Sequence, residues 1–118
     1  MLSSSPERLQ GLAPLSRLLL GGEALPGPLA ARLCSTVGGE VRNLYGPTET
    51  TVWSLGERVE GGEPRPLIGR PLANTEVYLL DASLRPVPAG SPGEVFLGAE
   101  GVSVGYWRGR GAPGEGSP

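Results

Sequence analysis

The chain has 118 residues and a net charge of −2, and its ten basic residues are all arginine, with neither lysine nor histidine. That excludes a P-loop lysine, a Schiff-base lysine, Ser-His and Cys-His nucleophile pairs and a His-ligated metal. The single cysteine, Cys34, excludes an internal disulfide or a Cys-rich zinc site, and the charge is not the basic footprint of a nucleic-acid binder.

Residues 1–8 are expected to fray. Glu7 to Leu15 reads as a short helical turn, with Leu9, Leu12 and Leu15 at three-residue spacing. Ser16 to Leu20, five residues stopped by Gly21-Gly22, reads as a buried strand. Pro28 to Thr36 reads as a helix: Pro28 suits the first turn, Leu29, Ala30 and Leu33 share a face, and Gly38-Gly39 is expected to end it. Glu40 to Leu44 reads as a second strand. Strand, helix and strand at this spacing predict an α/β piece of parallel sheet.

The second half is punctuated differently. Val52 to Val59 is strand-forming, Glu76 to Leu80 alternates, and Gly93 to Leu97 follows the Ser91-Pro92-Gly93 turn. These predict short antiparallel strands of a small distorted β-barrel or sheet. Glycine (20) and proline (13) make up about 28% of the chain, most densely in residues 109–118, which are expected to be a disordered tail. The densest aliphatic run, Leu18 to Leu20, is far below the roughly 20 residues that span a bilayer. Neither membrane nor nucleic acid is expected as a partner, and without a disulfide framework or leader the cytoplasm is the expected location.

The stretch richest in chemistry is Asn43-Leu44-Tyr45-Gly46-Pro47-Thr48-Glu49-Thr50-Thr51, directly after the predicted second strand. Ligands of open α/β sheets bind beyond the carboxyl ends of strands. A Gly-Pro turn there would aim Thr48 and Glu49 outward together. The hydroxyl suits a phosphate oxygen and the carboxylate a Mg²⁺ ion bridging to it. Tyr45 offers a flat face for a heterocycle, and Asn43 can donate and accept on a base edge. On spacing alone the same residues more readily suit a tight turn with Thr/Glu capping of the next element.

This nonapeptide resembles the core motif of adenylate-forming (AMP-binding) enzymes, above all the amino-acid-activating adenylation domains of non-ribosomal peptide synthetases. Four further stretches resemble that family in its order: Leu18 to Leu25, Ile68 to Thr75, Val77 to Asp81 and Gly93 to Tyr106. The resemblance covers a partial adenylation domain over residues 9–108. It implies that Asn43 contacts the adenine edge, Tyr45 stacks on the ring with Gly22 lining the opposite side, Thr48 hydrogen-bonds the α-phosphate and Glu49 ligates Mg²⁺. Thr48 and Glu49 are the implied catalytic residues. The implied cofactors are ATP and Mg²⁺, and the implied reaction joins a carboxylic acid to AMP before transfer to a phosphopantetheinyl carrier-protein thiol. The remaining subdomains of the synthetase are the other implied partners. Leu19, Gly21, Leu44, Val52 and Trp53 fall at pocket positions, where the bulk of Trp53, Leu19 and Leu44 suggests a small amino acid such as glycine. Leu19, Leu44 and Val52 also suit plain sheet core.

The sequence departs from the family mainly by omission. The family's phosphate loop and catalytic lysine have no counterpart here, and Ser103-Val104 replaces its usual Ala-Arg pair. The chain alone is expected to be inactive, with weak or absent binding of ATP. The alternatives are a non-catalytic nucleotide-binding or interaction module, a degenerate gene remnant, and a relative of the acyl- or aryl-CoA ligases.

Overall fold

A computed structural model describes residues 9–50, 52–100 and 102–103; the expected frayed start (1–8), Trp107 and the tail (109–118) lie outside these residues. The described residues divide into two compact units, those within Met1–Tyr45 and Leu55–Arg70 and those within Gly46–Ser54 and Pro71–Pro118.

The first unit begins with a helical turn at Leu9 and Gln10, continued by Leu12 N–H to Leu9 C=O (2.9 Å) and Leu15 N–H to Leu12 C=O (3.1 Å). Strand β1 (Arg17–Gly21), helix α1 (Gly27–Thr36) and strand β2 (Glu40–Tyr45) follow. β1 and β2 pair in parallel from Arg17 opposite Glu40 to Gly21 opposite Leu44, as the strand–helix–strand pattern predicts. β3 (Leu55–Arg58) runs antiparallel to β2, and β4 (Arg70–Pro71) completes a four-stranded sheet in the order β1-β2-β3-β4.

α1 forms where the sequence places it. Pro lies in its first turn, where the absent N–H would have had no intrahelical partner. Gly27, Ala30 and Leu33, three residues apart, are buried on one face. Ala30, Leu33 and Val37 pack with Leu9, Val41 and Val59 in the core. Burying a leucine such as Leu33 contributes about 1.5–3 kcal/mol.

The helix does not end on its glycines. Val37 turns extended (φ −71°, ψ 126°) while its N–H still reaches Leu33 C=O. The glycines act one step later: a Cβ on Gly39 would stand 2.0 Å from Ser16 C=O, so glycine there lets β2 start hard against the chain entering β1.

The expected strand Val52–Val59 is shorter than its composition suggests. Only Leu55–Arg58 extends, and it joins the first sheet rather than a separate β-layer. Val52, with φ 85°, cannot continue a strand upstream.

In the second unit, β5 (Thr75–Leu80) pairs antiparallel with β6 (Glu94–Ala99), from Thr75 opposite Ala99 to Leu80 opposite Glu94. Among the described residues this is a two-stranded sheet and not a closed barrel. Its connection is held at Asp81, whose Oδ1 accepts the N–H groups of Ser83 (2.8 Å) and Arg85 (3.0 Å) while Oδ2 meets the Arg85 guanidinium. No helix among the described residues is long and apolar enough to cross a membrane.

Candidate functional site

Parallel pairing sets the carboxyl ends of β1 and β2 side by side. Leu20 stands opposite Asn43 and Gly21 opposite Leu44. Gly22 follows at φ 94°, with nothing within 4 Å of where a Cβ would stand, so its surface is bare backbone that a flat ligand can approach. Tyr45 ends β2 with its ring partly exposed. Asn43 is buried, and its Nδ2 donates to Leu67 C=O at 2.8 Å. That bond fixes the amide plane, while the second N–H and Oδ1 define what else it can read. The same unit has a small open cavity of about 170 Å³ lined by Leu20, Gly21, Glu23, Ala24, Leu25, Pro26 and Leu29. Of the five pocket positions expected from sequence, Gly21 lines it. Leu44 is buried in the sheet, and Leu19, opposite Arg42, is half exposed.

Thr48, Glu49, Val52 and Trp53 belong to the second unit. Thr48–Thr50 is a single 3₁₀ turn, with Thr50 N–H on Pro47 C=O (3.1 Å). Thr48 is exposed and Glu49 half-buried, and Ser103 N–H holds the Glu49 carbonyl at 2.7 Å. The carboxylate of Glu49 is suited to Mg²⁺, which keeps several waters and takes one or two carboxylates plus substrate phosphates. Among the described residues no three His, Cys, Asp or Glu side chains converge.

Val52 and Trp53 are exposed. The positive φ of Val52 is a true outlier for a β-branched residue and costs about 1–3 kcal/mol. Two neighbours were not legible in advance: Thr50 and Ser54 are buried hydroxyls bonded to one another. The only advance signal was the hydroxyl-rich run Thr48-Glu49-Thr50-Thr51.

Cys34 behaves as a packed small side chain. Its Sγ donates to Val59 C=O at 3.2 Å. Burial first, and then the charge of Glu63, push its thiol above the ordinary range, opposite to what a nucleophile needs.

The AMP-binding enzyme family profile matches residues 1–107. The chain belongs to the AMP-binding enzyme family. It is 46% identical over 112 residues to a dimodular nonribosomal peptide synthase of Bacillus subtilis, a match covering 91% of this chain and 4% of that protein. A four-domain nonribosomal peptide synthetase solved with AMP and glycine superposes with a TM-score of 0.72 at 40% identity, over 87% of this chain and 8% of that one. An anthranilate CoA ligase, 28% identical, superposes with a TM-score of 0.68 over 80% of this chain and 18% of its own. This AMP-binding chain therefore resembles part of a synthetase adenylation domain and spans a small share of the length of the relatives it matches.

Proposed function

We propose that the chain is the central nucleotide-contacting part of an ATP-dependent ligase that activates an amino-acid carboxylate and passes it to a phosphopantetheinyl carrier-protein thiol. One observation carries the reading. β1 and β2 end together at Gly21 and Leu44, and the sequence runs on from Tyr45 within three residues to the Thr48–Thr50 turn. That is the sheet end where open α/β folds take ligands.

In this reading the adenine lies between Gly22 and the ring of Tyr45, with the Asn43 amide on its edge. Thr48 donates to the α-phosphate and Glu49 holds Mg²⁺. The substrate carboxylate oxygen attacks the α-phosphorus, an O–P bond forms, and the α–β anhydride bond breaks to release pyrophosphate. Mg²⁺ held by Glu49 would offset the negative charge that builds on the phosphates. Thr48 orients one oxygen and Tyr45 keeps the base side of the ligand from water. A small amino acid is the proposed substrate. The glycine bound to the 40% identical synthetase supports this.

The chain by itself is proposed to bind MgATP weakly and to turn nothing over, because none of its 118 residues is a lysine able to neutralise the attacked phosphate. ATP–pyrophosphate exchange with a panel of amino acids tests this. Exchange at background is expected, and exchange above background with the isolated chain overturns the inactivity.

A further inference from the structure

The hydroxyls of Thr50 and Ser54 form a directed chain within the second unit. Ser54 Oγ donates to Thr50 Oγ1 at 2.6 Å, and Thr50 Oγ1 donates to the Pro47 carbonyl at 3.1 Å, which also accepts Thr50 N–H at 3.1 Å. Ser54 is 1% exposed and Thr50 7%. Each hydroxyl has one proton, so the direction is set: removing the Thr50 hydroxyl strips Ser54 of its acceptor and Pro47 of a donor. The chain spans the turn that presents Thr48 and Glu49. Two further contacts clamp the same turn. Ser103 N–H holds the Glu49 carbonyl and Leu72 N–H holds the Ser54 carbonyl, at 2.7 and 2.8 Å. Gly46 lies so close to Val52 that a Cβ would stand 2.4 Å from the Val52 carbonyl. Val52 sits at φ 85° with its side chain mostly in solvent, so its own packing does not hold it there. A strained residue persists only where its surroundings over-determine it, and Val52 lies between the two members of the hydroxyl chain, Thr50 and Ser54.

We propose that Thr50 and Ser54 are positioning residues, whose hydroxyl chain to Pro47 fixes the turn presenting Thr48 and Glu49 to a metal–triphosphate and holds Val52 in its left-handed conformation. The proposal rests on the reading of Thr48 and Glu49 as the phosphate and Mg²⁺ contacts. Short buried hydroxyls suit this role because they satisfy backbone groups without a charge that would compete for the metal.

The test uses the full chain, isotope-labelled, titrated with Mn²⁺-ATP and compared with Thr50→Val, Thr50→Ser and Ser54→Ala. In the unaltered chain and in Thr50→Ser, Mn²⁺-ATP is expected to broaden the amide signals of Thr48 and Glu49 saturably. Thr50→Val and Ser54→Ala are expected to weaken that response about three- to tenfold while the signals of β2 and α1 stay in place. The one-bond Cα–Hα coupling of Val52 should also leave its left-handed value. If both variants keep the full affinity, or if Thr50→Ser loses as much as Thr50→Val, the positioning role is overturned while the nucleotide reading stands. If the unaltered chain shows no saturable response, the nucleotide reading falls and the role falls with it. Should Thr50→Val disturb β2 and α1, Ser54→Ala, which removes a single oxygen, decides the matter.

Discussion

The helix-covered strand pair of the first unit and the β5–β6 hairpin of the second are of similar strand length but differ in what holds them. Val41 of β2 is 2% exposed and packs with Ala30 and Leu33 of α1, both at 0%. In the hairpin, Tyr78, Leu79 and Val95 are each more than a third exposed. Parallel strands need a crossover, and the crossover helix supplies their cover. An antiparallel pair needs only a turn, so it can form from backbone hydrogen bonds and local turn chemistry, but a lone hairpin is marginal. Tertiary burial holds the first region and local chemistry the second.

The largest expected effect sharpens that contrast. Leu33→Ala should lower stability by about 2–5 kcal/mol, whereas Leu79→Ala in the hairpin should cost about 0.5 kcal/mol or less; chemical denaturation of both variants gives the comparison. Equal losses would break it. Gly39→Ala comes next. A methyl 2.0 Å from Ser16 C=O must shift backbone, and overpacking of this kind costs about 1–3 kcal/mol. Hydrogen exchange should show the loss at the Arg17–Glu40 end of the β1–β2 pair. Val52→Gly should instead raise stability by about 1 kcal/mol, since it relieves a left-handed valine and uncovers little apolar surface. A thermal melt reads this as a rise of several degrees.

The smallest effect is a pH dependence in the hairpin turn. The Arg85 N–H above all, then that of Ser83 and the Arg85 side chain, hold the Asp81 carboxyl below its ordinary range. The folded group is the stronger acid, so the contribution is present above the unfolded pKa, near 4, and fades as pH falls through the lower folded value. Amide protection of Ser83 and Arg85 should therefore fall in acid below pH 4, with Asp81→Asn weakened already at neutral pH. Protection independent of pH would remove Asp81 as the turn's organiser.

The elements legible in the sequence were those whose local pattern and tertiary role agree. α1 is apolar on the face it buries and Pro28 marks the helix start. β2 buries Val41 and Leu44 but also the polar Asn43. β1, expected as a buried strand, only half-buries Leu18 and Leu20 against the core and leaves Leu19 half exposed, because α1 covers it on one face alone. β5 and β6 are bounded by turn residues with their own chemistry. Three features were not legible, each because a nonlocal contact decides it. Gly38-Gly39 reads as a helix stop, yet Val37 ends the helix and Gly39 serves the approach to Ser16. Val52 has a strand former's side chain, yet it takes a positive φ beside Gly46, where a Cβ would stand 2.4 Å from the Val52 carbonyl. Thr50 and Ser54 look like surface hydroxyls of a polar loop and become a buried pair only when Pro47 and Leu72 come to them. For the candidate site, the residue types of Asn43–Thr50 suggest the proposed chemistry, and the structure adds the hydrogen bond from Asn43 to Leu67 and the anchors of the turn.

The proposed function puts a Mg²⁺-dependent nucleotide contact, centred on Glu49, on this member of the AMP-binding enzyme family. Titration of the chain with ATP, with and without Mg²⁺ and in Glu49→Ala, tests it most directly. Weak, saturable binding is expected that needs Mg²⁺ and falls about 10- to 100-fold in Glu49→Ala, the loss of one charge-assisted contact. Binding that ignores both the metal and the substitution, or no saturable binding at all, would contradict it.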